Sequence, residues 1–418
     1  MLKILNSYLK RINITFVDAL VFIIFGGIGW QLSLIALSTI WPGWEDAAKG
    51  DKALQNKDFN AAVIYYTKAI ELDPKYVKAY NNRGTAYAYL KNYPEALADY
   101  TKAIELHPKY VFGYYGRGNE YRNLMKYPEA LANYTKAIEL DPKYVFAYYG
   151  RGLTYNNLKK YPEALADCTK AIELDPKYVD AYNNRGNAYN NLKKYPEALT
   201  NYTKAIELDP KYAFAYNNRG SVYDDLKKYK EALADYNKAI ELDPNYAIAY
   251  CNRGIAYGYL KKYEEALADY TKAIELDPKL TAAYNNRGFV FFDQKKYSDA
   301  EEDFTTAIKM YKTDDAAEPY FGRILSYFHL GKLSEAAADF EKAKDLVPKY
   351  ADAFYYRGLV NHQFKKYQEA ISDFNSAIEF NPKNANTKYY DARGLTYKII
   401  GKTKEAEADF AKAKALEK

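Results

Sequence analysis

The chain has 418 residues, 48 of them tyrosine, against 2 cysteines, 3 histidines and 3 methionines. Charged residues at 27% and hydrophobic ones at 49% exclude a disordered chain, and a net charge of +6 without any Lys/Arg block leaves no footprint for nucleic acid. Two cysteines and three scattered histidines supply neither a disulfide framework nor a zinc site of the usual spacing, so no metal and no cofactor is expected.

Residues 1–18 carry Lys3, Lys10 and Arg11 and lead into an apolar segment, 19–41. From Ala19 to Ile40 there is no charge, and Gln31 is the one strongly polar side chain. At about 1.5 Å per residue this run spans roughly 33 Å, the hydrocarbon core of a bilayer. All three tryptophans lie in or beside it, with Trp41 and Trp44 at the far end, where an interfacial belt belongs. Glu45 and Asp46 follow. The expectation is a transmembrane signal anchor with a cytoplasmic N-terminus and the remaining chain on the extracytoplasmic side. Two alternatives are a secretory signal cut near Ala36-Leu37-Ser38, which would leave a secreted protein, and a buried cap helix.

Beyond this segment one block repeats. Its Asp-Pro mark falls at Pro74, Pro142, Pro176, Pro210, Pro244 and Pro278, with His107-Pro108 filling the missing step of a 34-residue period. Units start at Gly43, Val77, Val111, Val145, Val179, Ala213, Ala247, Thr281, Ala317, Ala351 and Thr387, about eleven in all. In each, a first helix is expected from a stripe such as Tyr80, Gly84 and Tyr87. A turn at Lys91-Asn92-Tyr93 follows. Pro94 marks the start of a second helix carrying Ala96, Leu97, Tyr100, Ala103 and Ile104, and Pro108 stops it. Units 1–8 (43–314) are regular. Units 9–11 (317–418) diverge, with Phe for Tyr at Phe340 and Phe374 and insertions near Asp315 and Ala385. The last helix, from Lys404, reads as a polar cap.

Tyr80, Gly84, Tyr87, Ala96, Tyr100, Ala103 and Pro108 resemble the aromatic, small and proline positions of the tetratricopeptide repeat family, with Tyr where that pattern has Trp and Arg83 where it has Leu. The resemblance covers most of the chain. It implies an all-α fold, a right-handed α-solenoid whose first helices line a concave groove. It also implies a non-enzymatic interaction scaffold that takes partner proteins or extended peptides. Most tyrosines fall in the five columns typified by Tyr80, Tyr87, Tyr93, Tyr100 and Tyr110, and are expected to pack units together. Arg83, Arg117, Arg151, Arg185 and their successors face a column of Asp99, Asp167 and Asp235, with Asn133 and Asn201 substituting, as a structural ladder.

The candidate binding residues are one amide per first helix: Asn82, Asn184, Asn218, Asn252 and Asn286, interrupted by Gly116 and Gly150. An amide pairs with a peptide backbone as donor and as acceptor, whatever the peptide's sequence. This resembles the asparagine ladder in the repeat domain of the O-linked N-acetylglucosamine transferase. Asn81, Tyr115, Tyr149, Asn183 and Asn217, one place earlier, add polar and aromatic contacts. Arg122 is the basic residue that stands out along the groove, which departs from the Lys/Asn/Arg clamp of some co-chaperones. His329 and His362 are expected near one another on adjacent units. No glycine loop, nucleophile elbow or His-Glu-x-x-His run supports catalysis. A membrane-anchored scaffold is the first reading, and a chaperone or assembly factor that holds client segments is the second.

Overall fold

The computed structural model describes residues 43–311, 316–343, 351–380 and 386–416, and the regular elements among them are 22 α-helices in an all-helical repeat solenoid. They alternate as first and second helices of each unit, from Trp44–Gln55 with Phe59–Leu72 to Thr387–Ile399 with Thr403–Leu416. Two compact bodies divide after Leu208, the first holding units 1 to 5 and the second units 6 to 11. Among the described residues no helix is long and apolar enough to cross a membrane. The segment 19–41, on which the anchor expectation rests, lies outside them.

The repeated sequence dictates its turns. In the Asp-Pro step the Asp141 carboxylate accepts the backbone N–H of Lys143 at 2.9 Å, and Asp175, Asp209 and Asp277 do the same for Lys177, Lys211 and Lys279. His107 fills the missing step chemically as well, its Nδ1 accepting from Lys109 at 3.2 Å. Within a unit the first helix ends at Tyr89, Leu90 caps it, and Lys91 turns left-handed at φ 62°. The Asn92 N–H then reaches back to the Tyr87 carbonyl at 2.9 Å, the long bond of a Schellman closure. The second helix begins at Tyr93, so Pro94 sits at its second position and not its first. Lys57, Lys159, Lys193, Lys227, Lys261, Lys295 and Lys365 share this strained turn, which Gly331 and Gly401 occupy without a Cβ penalty.

Units are joined by rings seated against glycine. Tyr134 is fully buried between Gly118 of its own unit and Gly150 of the next. A Cβ added to either glycine would lie 2.9 or 2.8 Å from the ring. Tyr100 lies in the same way against Gly84 and Gly116, and Phe304 against Gly288 and Gly322. Alanines at Ala96, Ala103, Ala130 and Ala137, all fully buried, bring the two helices of a unit close enough to enclose the ring.

The arginine column clamps the same seams. Arg151 grips Asp167 with two parallel hydrogen bonds of 2.7 and 2.8 Å and reaches Thr135 of the preceding unit at 3.1 Å. Arg83, Arg253, Arg287, Arg323 and Arg393 repeat the bidentate grip on Asp99, Asp269, Asp303, Asp339 and Asp409. The ladder expected from sequence is therefore structural. In units 3 and 5 the partner is neutral, and Arg117 and Arg185 each bond the Oδ1 of Asn133 and Asn201.

Two glycines on the helix Ala247–Tyr259 separate packing from propensity. A Cβ at Gly254 would stand 2.7 Å from the Tyr270 ring, whereas one at Gly258 meets nothing within 4 Å. Gly254→Ala is expected to destabilise by about 1–3 kcal/mol through overpacking. Gly258→Ala should stabilise by about 0.5–1 kcal/mol through helix propensity. Thermal melts followed by circular dichroism check this; equal shifts of the same sign would remove the ring seat as the cause.

Candidate functional site

In each body, successive first helices pack against one another while successive second helices stand farther apart, so the first helices make an inner wall. The side chains that neither core nor clamp uses there fall at the second, fifth, sixth, ninth, twelfth and thirteenth residues of a unit. Across units 2 to 4 of the first body the wall carries a relay of rings. Tyr110, Phe112, Tyr144, Phe146 and Tyr178 follow one another with centroids 5.6 Å apart at every step. Tyr115 meets Tyr144 edge-on at 5.4 Å, and Tyr149 meets Tyr178 at 5.1 Å. Such edge-to-face pairs hold the rings in fixed orientations. Phe112 and Phe146 stay about half exposed, at 52% and 47%. Sequence reasoning placed Tyr115 and Tyr149 on this wall but missed the phenylalanines. Their signal was an apolar residue recurring one place into the helix, at Phe112, Phe146, Phe214 and Ile248, where a solvent-facing side chain is due.

The amide column divides by burial. Asn184 is 2% exposed. Its Oδ1 accepts from Asn156 at 2.7 Å and its Nδ2 donates to the Cys168 thiol at 3.2 Å. Cys168 stands where other units carry the large core ring, and Asn184 fills the space that ring would take. Asn183 and Asn217 are buried too. Asn82, Asn218, Asn252 and Asn286 are half-buried. Asn252 donates to Asn217 at 3.0 Å, Asn217 to Asn218 at 3.2 Å, Asn81 to Asn82 at 3.0 Å, and Asn82 to Asp51 at 2.9 Å. The structure brings these amides together in short chains that link neighbouring first helices, with Asn184 turned inward.

The core rings also reach this wall, hydroxyl first. Tyr66 donates to Asp51 at 2.6 Å, Tyr134 to Asn119 at 2.7 Å, Tyr202 to Asn187 at 2.8 Å and Tyr236 to Asp224 at 2.8 Å, and Tyr100 pairs with Thr85 at 3.1 Å. The ninth residue of the unit answers the hydroxyl in each case except Tyr236, which uses the twelfth. Where the ninth residue is Phe289, Leu325, Leu359 or Leu395, the ring is Phe304, Phe340, Phe374 or Phe410 and has no hydroxyl to satisfy. A buried hydroxyl without a partner would cost about 1–3 kcal/mol, which accounts for the coupling.

Charged groups on the wall are few. Glu120 is 3% exposed, and burial pushes its carboxyl up from the usual carboxylate range while Asn123 donates to it at 3.4 Å. Arg122 lies beside it with Nε buried and without a partner. Burial raises Asp224 to about 6. Both thiols are free and buried, which pushes Cys168 and Cys251 up to about 12 and leaves them poor nucleophiles. His329 stacks on Tyr297 at 4.6 Å, and His362 bonds Thr396 at 2.8 Å, so the two imidazoles serve separate contacts. Among the described residues no group of three metal-ligating side chains converges.

Models of the tetratricopeptide repeat match residues 48–76, 77–110, 145–178, 179–212, 213–246, 247–280, 287–351 and 321–385, and a TPR repeat model matches 118–159. Among solved structures, a tetratricopeptide repeat protein from Parabacteroides merdae is similar at 24% identity and TM-score 0.51, covering 60% of this chain and 98% of that one. YrrB, described as a TPR protein with an unusual peptide-binding site, is similar at 31% identity and TM-score 0.34, covering 44% of this chain and 95% of that one. The Cut9–Hcn1 hetero-tetramer of the APC/C is similar at 16% identity and TM-score 0.44, over 89% and 86%. No curated protein matches the sequence.

Asn184 gives the wall a direct test. Asn184→Ala removes its bonds to Asn156 and Cys168 and is expected to destabilise by about 1–2 kcal/mol. Unchanged melting of the purified variant would show that the amide carries no packing role.

Proposed function

The chain belongs to the tetratricopeptide repeat family, and we propose on that premise that it is a non-catalytic scaffold whose inner wall holds extended segments of partner proteins. Members of this family generally serve as protein and peptide interaction scaffolds. One observation carries the reading for this chain. Of the eight buried side-chain N and O atoms without a hydrogen-bond partner among the described residues, six belong to Asn81, Arg122, Asn156, Asn190, Asp224 and Asn285. All six occupy the fifth or twelfth place of a first helix, one each in units 2 to 6 and 8. Left alone, each such atom costs about 1–3 kcal/mol. A peptide backbone, with an N–H and a C=O per residue, answers a row of amide oxygens without regard to side chains. The half-buried amides Asn82, Asn218, Asn252 and Asn286 and the rings Tyr115 and Tyr149 complete the proposed contacts.

The exposed ring relay of units 2 to 4 favours a second reading, in which the wall holds apolar client segments transiently, as a chaperone or assembly factor does. The two readings separate by partner range. Crosslinking followed by affinity capture should recover a few stable partners for a scaffold and many unfolded segments for a holdase. An Asn82→Ala, Asn252→Ala, Asn286→Ala variant should lose partners in either case; undiminished recovery would end the amide reading.

We further propose that residues 19–41 anchor the array to a membrane, with the repeats on the extracytoplasmic side. The support is the uncharged 22-residue run from Ala19 to Ile40 between basic and acidic flanks. Alkaline carbonate extraction should leave the full-length chain in the membrane pellet, and its release into the supernatant would exclude a spanning helix.

A further inference from the structure

Tyr270 breaks the rule that ties core rings to the wall. Its ring is buried, at 2% exposed, while its hydroxyl makes no hydrogen bond to the protein among the described residues and is left to the solvent side. The ninth residue of its unit is Ile255, and the other units with an apolar residue there carry Phe or Cys in place of Tyr. One unit earlier, the hydroxyl of Tyr236 is answered by Asp224. The residue 34 places after Asp224 is Gly258, where a Cβ would meet nothing within 4 Å. In the register of Tyr236 and Asp224, the place that would answer the Tyr270 hydroxyl is thus Gly258, which has no side chain.

The surroundings of this notch define what fits it. Asp224 accepts from Tyr236 through Oδ2, but its Oδ1 is buried and unpartnered. Tyr270 lies within the electrostatic reach of both Asp224 and Tyr259. Tyr259 stacks one face on Tyr229 at 5.5 Å and is otherwise 66% exposed. Units 6 and 7 place Asp224 and Asp225 on the wall and no lysine or arginine. The occupant must donate to Asp224, bond the Tyr270 hydroxyl and tolerate an aromatic face, and an anion is repelled.

We propose that Asp224, Tyr270, Tyr259 and the bare backbone at Gly258 form a pocket for a lysine or arginine side chain of the segment held on the wall. This rests on the peptide-holding reading above and adds a specificity to it. The cation bonds Asp224 Oδ1 and the Tyr270 hydroxyl and lies over Tyr259. It also relieves the desolvated carboxylate, which otherwise resists ionisation.

The test uses the full chain and three fluorescein-labelled libraries of short peptides, degenerate in uncharged residues and fixed at the centre as lysine, norleucine or glutamate. Fluorescence anisotropy should show the lysine library binding about tenfold tighter than norleucine, with glutamate weakest. Asp224→Asn keeps an acceptor for Tyr236 while removing the charge, and Gly258→Leu puts a side chain into the notch. Both should abolish the lysine preference without lowering the melting temperature, Gly258→Leu raising it through helix propensity, and Tyr270→Phe should weaken the preference about threefold. Equal binding of the lysine and norleucine libraries, or a preference that survives Asp224→Asn and Gly258→Leu, overturns the pocket and leaves peptide holding intact. Binding of none of the libraries overturns peptide holding and the pocket with it.

Discussion

A large ring seated between a glycine of its own unit and a glycine of the next is the contact on which the remaining architecture depends. Tyr134 cannot be buried by the helices of its unit alone, because one side of the ring faces Gly150. Each unit therefore borrows a wall from its successor, and stability is distributed over neighbouring interfaces in place of one central core. The arginine clamp follows from the same seam. Once the ring has set the spacing, Arg151 reaches Asp167 with two bonds and Thr135 with a third. Losing one partner of such a partly buried pair leaves a desolvated charge, so these contacts are costly to break even where they add little net stability.

The ring also ties packing to the wall. Because its hydroxyl emerges on the inner face, the choice between Tyr and Phe at a core position is made by a wall residue about fifteen places earlier. Thr85 permits Tyr100 and Leu359 goes with Phe374. A change of wall chemistry thus demands a compensating change in the core, and units 9 to 11, with apolar residues at that place, have turned to phenylalanine throughout. Their divergence from the regular units is in this respect a coupled substitution.

The period, the helix pairs, the ring columns and the Arg–Asp ladder were all legible in the sequence, because each repeats a side chain whose size or charge admits one use. What escaped depended on neighbours that no single column displays. Lysine does not announce a left-handed turn, so Lys91 and Lys159 gave no sign that Gly331 and Gly401 share their conformation. Asn184 looks like its column-mates Asn218 and Asn252, and only the small Cys168 sixteen residues before it explains why it turns inward. The relay from Tyr110 to Tyr178 joins residues of two columns across three units, and each column taken alone reads as packing.

The clamps also set part of the charge balance of each body. Where Asp is replaced by Asn133 and Asn201, Arg117 and Arg185 make one bond to a neutral oxygen in place of two to a carboxylate. The first body thereby keeps two clamp guanidiniums without a carboxylate, while Arg122 on the same unit as Arg117 lies beside the buried Glu120 carboxyl. In units 6 and 7 of the second body Arg219 and Arg253 are fully matched by Asp235 and Asp269, while Asp224 is left on the wall with one oxygen unanswered. Near-identical repeats thus differ in local charge through a handful of substitutions. These substitutions change the charge of a unit without altering the ring seats that fold it.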